Sequence, residues 1–178
     1  MAHPAWRPSA DLATLRLRAE LLARIRTFFA ARGVLEVETP ALSAAAITEP
    51  NLASFSTAYA GPGLRCGQPL YLHTSPEFPM KRLLAAGSGC IYQIARVFRD
   101  GEAGRRHNPE FTMLEWYRVG FDHHRLMDEV AELVTELLAG RLALAEPERL
   151  SYRDLFQRHL DLNPHQAGVA ELAACAGA

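Results

Sequence analysis

The chain has 178 residues, of which 49% are apolar and 22% are charged. This is long enough for one domain with a sizeable core, and the composition is ordinary for a globular protein. A formal net charge of −1 excludes a global basic field for nucleic acid or anionic lipid, so phosphate binding would need locally clustered cations. Its three cysteines have neither metal-ligand nor disulfide spacing, and no apolar run is long enough to cross a membrane. We therefore expect a cytoplasmic protein with no membrane association.

A helix is predicted near the start of the chain, from Asp11 to Arg32. Apolar residues recur there at helical spacing, namely Leu12, Leu15, Ala19, Leu22, Ile25 and Phe29. Either Ser9 or Asp11 can cap the first turn, and Gly33 stands where a C-terminal cap belongs.

The period changes to two between Val34 and Thr39, where apolar and acidic residues alternate. Pro40 cannot donate a ladder hydrogen bond, so it ends this short strand. Glu36 and Glu38 share one face of the strand. The pattern favours a polar face or an interface for them, and the alternative is a catalytic pair of carboxylates.

The following segment, 43–68, is predicted to be mostly loop because proline and glycine recur in it. It contains one candidate strand at 53–59, and a second candidate strand follows at 70–73. A second helix is predicted directly after these strands.

The second helix is predicted to end near Ala86. Ser75 is a candidate cap, with Pro76 at the first helical position and Glu77 in the first turn. Pro79 would remove the first intrahelical hydrogen bond, so an irregular first turn is expected. Glu77 either binds the amino group of a substrate or only complements the helix dipole, and the residues alone leave both open.

Two β-prone runs, Ile91–Phe98 and Glu110–Arg118, predict a long antiparallel hairpin. The polar loop between them holds two glycines, three arginines and a His-Asn pair. Such a loop suits a nucleotide, because arginine forks bind phosphate and a neighbouring aromatic side chain can stack on a base. The alternative is a solvated tip, which composition alone favours.

Two later helices are predicted, from Asp122 to Ala139 and from Ser151 to about Leu160. His123 and His124 are adjacent on the first of them, so they do not face one metal site. The remaining alanine-rich stretch is predicted to contain no further element. Helices interspersed with strands around a central hairpin indicate an α+β domain with a largely antiparallel sheet.

Several segments resemble one known family. Gly33–Pro40 resembles motif 1 of the class II aminoacyl-tRNA synthetases, and Phe98–Asp100 with Arg106–Glu115 resembles motif 2 of their lysyl branch. Thr74–Glu77, followed by a Lys-Arg-Leu helix, is similar to the same branch. The strand ending in Glu115–Arg118 is similar to a short paralogous family, the elongation factor P–(R)-β-lysine ligases.

The resemblance implies that residues 1–178 are the N-terminal part of a class II synthetase-like catalytic domain, with an antiparallel sheet flanked by helices. Motif 1 would occupy about 11–40 and motif 2 about 91–118, with no anticodon-binding domain. Motif 3 of the family is not found, so the sheet is expected to be incomplete on its C-terminal side.

The activity implied by the resemblance is an ATP-dependent ligase that forms an adenylate of (R)-β-lysine or lysine and transfers the acyl group to a lysine of elongation factor P. ATP and Mg²⁺ are the implied cofactors, with the metal ligands expected in the C-terminal part that this chain lacks. A homodimer is expected, and tRNA is not an expected partner. The alternatives are a catalytic fragment of a lysine–tRNA ligase and an inactive dimerisation or binding remnant.

The resemblance also implies roles for individual residues. The catalytic residue is Arg99, which would bridge the substrate carboxylate and the α-phosphate. The implied ATP-binding residues are Arg99, Asp100, Gly101, Glu102, His107, Asn108 and Phe111, the last of which would stack on adenine. The implied substrate-binding residues are Ser75, Pro76, Glu77, Glu115 and Tyr117.

One position departs from the family pattern. The family carries an acid two positions after the motif 2 arginine, but this chain has Gly101 there and its acid at Glu102. A shifted loop or a weaker hold on adenine is the expected consequence. Strand alternation nonetheless predicts that the site residues of the second hairpin strand share one face, namely Phe111, Met113, Glu115 and Tyr117.

Overall fold

The computed structural model describes residue 6 and residues 8–63 and 65–177. It divides into two units, one up to Leu137 and one from Leu138 onward. The helices are α1 Leu12–Ala31, α2 Glu77–Ala85, α3 His123–Leu138, α4 Tyr152–Leu160 and α5 Val169–Ala176. The strands are β1 Leu35–Glu36, β2 Leu42–Ser43, β3 Ser56–Tyr59, β4 Gln68–Leu72, β5 Ile91–Phe98 and β6 Glu110–Tyr117.

The central sheet has the order β1-β5-β6. β5 and β6 pair antiparallel along their whole length, from Ile91 opposite Tyr117 to Phe98 opposite Glu110. The predicted α+β fold and the predicted hairpin are therefore confirmed. β1, however, pairs parallel with β5, which the sequence did not predict. A parallel pair needs a long crossover, and here the intervening chain supplies a second sheet and α2.

That second sheet is antiparallel, with the order β2-β4-β3. Its strand Leu42–Ser43 was missed, since two residues carry no measurable alternation. The candidate strand at 53–59 begins only at Ser56, while Ala53 forms an isolated bridge to Asp100. This bridge ties the second sheet to the start of the hairpin loop.

One hydrophobic core cluster of the first unit lies on one face of the hairpin. Phe28, Phe29, Val34, Tyr92 and Leu133 form a buried cluster, so α1 and α3 cover the same side of β5 and β6. Phe29 stacks on Tyr92 at a centroid distance of 4.5 Å and lies 5.5 Å from the Trp116 ring. Ile91, Ala95 and Val97 of β5 are buried on the opposite face of the hairpin, so that face is packed as well.

Local capping agrees with the sequence for three helices. Asp11, rather than Ser9, accepts a hydrogen bond from Thr14 N at 2.7 Å, and Gly33 follows α1 at φ +64°. Asp122 accepts from Arg125 N at 2.9 Å, and Ser151 accepts from Asp154 N at 3.1 Å. Among the described residues, no helix is both long and apolar enough to cross a membrane.

The prediction for α2 was wrong in two respects, the position of its N-cap and the effect of Pro79. The helix begins at Glu77, so Pro76 is its N-cap and Pro79 its third residue. The first intrahelical hydrogen bond runs from Met80 N to Pro76 O at 3.0 Å. Since the first three N–H groups of a helix have no partner within it, Pro79 removes no hydrogen bond and the turn stays regular.

In the second unit, α4 matches its predicted bounds and ends at Asp161 in a left-handed conformation. The helix α5 was not predicted. Its run of alanines gives no amphipathic pattern to recognise, although alanine has the highest helix propensity.

Candidate active site

Strand β6 separates two environments, as the alternation predicted. Leu114 and Trp116 pack against the core cluster, and Thr112 accepts a hydrogen bond from Arg18 at 2.6 Å. Phe111 and Glu115 make their contacts on the other side, with residues of the hairpin loop and of the segment before α2. One short strand can therefore carry both ends of a binding site without disturbing the core.

Glu115 organises the end of the site that lies near the C-terminal end of β6. Its Oε2 accepts a hydrogen bond from Ser75 Oγ at 2.7 Å, and its Oε1 accepts from Tyr117 Oη at 2.7 Å. Both donors are hydroxyl groups, so neither brings a positive charge to the carboxylate in this half-buried site. A ligand ammonium would find there a charged acceptor already held in place.

The Tyr117 hydroxyl is kept as a donor. Burial raises the pKa of this phenol well above its ordinary value, and the hydrogen bond to Glu115 and the charge of that carboxylate raise it further. Tyr117 therefore stays protonated at neutral pH and cannot act as a base.

Ser75 joins β6 to the start of α2. Its Oγ donates to Glu115 and accepts from Glu77 N at 3.0 Å. Pro76 between them is fully buried, which fixes the backbone of this turn. The Glu77 carboxylate forms an ion pair with Lys81, the only lysine of the sequence. Ser75, Pro76, Glu77, Glu115 and Tyr117 are thus brought together.

A cavity of about 140 Å³ borders this group, lined by Ser75, Glu77, His73 and Arg82 among others. His73 Nε2 lies 2.7 Å from the carbonyl oxygen of Arg96, so it must donate, and Nδ1 is left buried without a hydrogen-bond partner. His73 and Arg82 were not predicted as site residues from the sequence. The only signal for His73 is a polar residue at the end of a strand, directly before the matched segment.

The other end of the site is organised by Arg99. Its Nε donates to the carbonyl oxygen of Thr74 at 3.4 Å, and its guanidinium carbon lies 5.2 Å from the centroid of the Phe111 ring. Glu102 Oε1 lies 3.7 Å from Arg99 Nη1, and Gly101 takes φ +79°, a conformation that glycine adopts readily. The turn at Gly101 brings the displaced acid back beside Arg99.

The remaining loop residues are exposed. Asp100 donates its backbone N–H to Ala53 O at 2.9 Å, and His107 pairs with Gly104 through the backbone. The side chains of Asp100, His107 and Asn108 are exposed on the hairpin tip. Their place in a nucleotide site stays a prediction.

Two acidic motif 1 residues were also interpreted from the sequence. Both carboxylate oxygens of Glu36 accept a bifurcated hydrogen bond from Arg26 Nε, at 3.0 and 3.2 Å, and Oε2 also accepts one from Tyr92 Oη at 2.9 Å. Glu36 therefore ties α1 to β5. Across the described residues, no group of three or more His, Cys, Asp or Glu side chains could hold a metal ion.

Comparison of the sequence with known protein families identifies the family of this chain. The sequence matches the family described as tRNA synthetases class II (D, K and N) over residues 4–166. The chain therefore belongs to the class II tRNA synthetase family, and its fold is that of a class II synthetase domain.

Its curated relatives within this family share one name. Proteins named elongation factor P--(R)-beta-lysine ligase from Vibrio vulnificus and Yersinia enterocolitica are each 56% identical to it over 171 residues, which is 96% of this chain and 52% and 51% of those proteins. One from Vibrio cholerae is 53% identical over 172 residues. The chain spans about half the length of the curated relatives it matches.

Proposed function

We propose that this chain forms part of an ATP-dependent ligase that activates (R)-β-lysine or lysine as an adenylate and transfers the acyl group to a lysine of elongation factor P. The observation that carries the proposal is the shared face of β6, where Glu115 and Tyr117 form one end of the site and Phe111 with Arg99 the other. The names of the relatives supply the particular substrate and acceptor.

The amine of the substrate would bind at Glu115. An ammonium donates to carboxylate oxygens, and such charged hydrogen bonds are about twice as strong as neutral ones. Glu77 offers a second carboxylate once its exposed pair with Lys81 opens, which costs little because exposed pairs contribute at most about 1 kcal/mol. A lysine-type substrate has two amino groups and one carboxylate, which fits two acidic residues and one arginine.

Arg99 would act at the reacting atoms. Activation requires the substrate carboxylate to attack the α-phosphate of ATP, which forms a carboxyl–phosphate bond and releases pyrophosphate. The two reactants are both anionic, so they repel one another unless a cation lies between them. A guanidinium is a planar cation with five N–H donors, so Arg99 has further donors besides the Nε that bonds to Thr74 O.

Phe111 and Glu115 are four positions apart, which corresponds to about 13 Å along an extended strand. Adenine stacked on Phe111 and an amine at Glu115 would thus lie at the two ends of one adenylate-sized ligand. In the transfer step the lysine amine of the acceptor protein attacks the acyl carbon and AMP leaves. ATP is the proposed nucleotide. The described residues offer no metal-binding cluster, so Mg²⁺ is assigned no protein ligand here.

The test is ATP–pyrophosphate exchange by the purified 178-residue chain, with lysine and (R)-β-lysine compared. Exchange that disappears in Arg99→Ala and persists in Arg105→Ala, an exposed arginine of the same loop, is the expected result. Transfer is then followed by the mass of elongation factor P. Absence of exchange with either amino acid, both in this chain and in one extended to the length of the relatives, would refute the proposal. Light scattering tests the proposed homodimer, and fractionation tests the proposed cytoplasmic location.

A further inference from the structure

A buried carboxylate lies on the side of the hairpin opposite the proposed site. Glu129 of α3 is only 4% exposed, and it faces the end of β6. Its Oε2 accepts a hydrogen bond from Trp116 Nε1 at 3.0 Å. Its Oε1 lies 3.2 Å from Arg118 Nε, close enough for an ion pair although the geometry is not that of a hydrogen bond.

These two partners flank Tyr117 in the sequence. Because side chains alternate along a strand, Trp116 and Arg118 point to the core side while Tyr117 points to the site. Arg118 is held further by the ring of Phe121, whose centroid lies 4.6 Å from its guanidinium carbon. The backbone on both sides of Tyr117 is therefore anchored by one carboxylate.

A buried charge of this kind is costly unless it is paired and hydrogen-bonded. The core cluster around Phe29 already packs with Trp116, so packing alone does not require a carboxylate at this position. What the carboxylate adds is a fixed orientation for the last residues of β6, which hydrophobic contacts do not impose because they are not directional.

We propose that Glu129 is a positioning residue for the amine end of the site, acting through Trp116 and Arg118 to hold Tyr117 and, through it, Glu115. This inference rests on the proposed function. Misplacing a binding group by about 1 Å can cost up to roughly 100-fold in catalysis. The nucleotide end at Phe111 lies six residues away, about 20 Å along the strand, and is not held by Glu129.

The test compares Glu129→Gln with Glu132→Gln. Glu132 lies on the same helix one turn further on, and its carboxylate pairs with Arg32 at 2.9 Å rather than with Trp116 or Arg118. Calorimetry measures the affinity for lysine and (R)-β-lysine and, separately, for ATP. Glu129→Gln should weaken amine binding by about tenfold while ATP affinity stays within about twofold. Glu132→Gln should change neither.

A second readout does not depend on any ligand. The chain is labelled with 3-fluorotyrosine, and fluorine NMR then reports the environment of Tyr117. The Tyr117 resonance is assigned as the one that is missing from the spectrum of Tyr117→Phe. Glu129→Gln should shift that resonance and Glu132→Gln should not. If the wild-type chain binds no amine, the proposed function fails, but the fluorine spectrum still decides whether Glu129 positions Tyr117.

The result that would overturn the inference is an unshifted Tyr117 resonance in Glu129→Gln, or amine and ATP affinities that fall together. Circular dichroism checks the folding of each variant. Should Glu129→Gln not fold, Trp116→Phe takes its place, because it keeps an aromatic ring beside Phe29 while it removes the hydrogen bond to Glu129. The same two readouts apply to it, with the same expected and contrary outcomes.

Discussion

Replacing Glu115 by glutamine separates the charge of the site from its shape. The side chain keeps its size, and its carbonyl oxygen can still accept from one hydroxyl. The new amide nitrogen cannot accept, so either Ser75 Oγ or Tyr117 Oη loses the acceptor that each now has at 2.7 Å. The negative charge that would receive a ligand ammonium disappears as well.

The lost hydrogen bond and the lost charge each have an expected free-energy cost. A buried donor left without its acceptor costs about 1–3 kcal/mol, so the free energy of unfolding should fall by that amount. A hydrogen bond to a charged group contributes about 1.5–3 kcal/mol, which corresponds to a loss of amine affinity of roughly 10-fold to 150-fold. ATP affinity should be unchanged, because the nucleotide end depends on Arg99 and Phe111.

Calorimetric titration with (R)-β-lysine and with ATP, alongside urea denaturation, measures all three quantities. Glu110→Gln is the matched control, because Glu110 opens the same strand and makes only an exposed ion pair with Arg96 at 3.6 Å. Equal losses of amine affinity in the two variants, or no loss in Glu115→Gln, would show that Glu115 does not bind the amine.

Three further predictions concern the hairpin and its core. Burial and the contact with Glu36 raise the pKa of Tyr92 to about 12, so the folded state holds its phenolic proton more tightly than the unfolded state. The resulting stability is complete below about pH 10 and is lost as the pH rises towards 12, and denaturation series at pH 9–11 should show a shallower loss in Tyr92→Phe. Phe29→Ala should lower the free energy of unfolding by about 3–5 kcal/mol, whereas Leu12→Ala, 71% exposed, should change it by about 0.5 kcal/mol or less. ATP titration should show a larger loss of affinity in Glu102→Ala than in Asp100→Ala, since the Glu102 carboxylate lies 3.7 Å from Arg99 Nη1. The reverse order would show that the acid displaced to position 102 does not serve the nucleotide end of the site.

The sequence alone was sufficient to predict the elements that depend on residues close together in the chain. The hairpin at Ile91–Phe98 and Glu110–Tyr117 follows from period-two alternation, and α3 and α4 begin where Asp122 and Ser151 can accept from a first-turn N–H. Alternation also separated the two faces of β6. These features depend on the spacing between residues a few positions apart, and that spacing can be read directly from the sequence.

Other features depended on residues that meet only after folding. Leu42–Ser43 is a strand because β4 lies beside it, and β1 runs parallel to β5 because the crossover returns the chain that way. The hydrogen bond from Ser75 to Glu115 spans 40 positions of sequence. Resemblance to a family could nominate both residues, but only the tertiary structure brought the two side chains within 2.7 Å of each other.

Glu129 shows the same limit most clearly. In the sequence it is one of several acids on an amphipathic helix, and nothing distinguishes it from its exposed neighbours. The packing of α3 against β6 buries it beside Trp116 and Arg118. The sequence determined which residues carry charge and to which helix or strand they belong. The tertiary structure decided which of those charges are buried, because burial depends on the neighbouring surface that folding supplies.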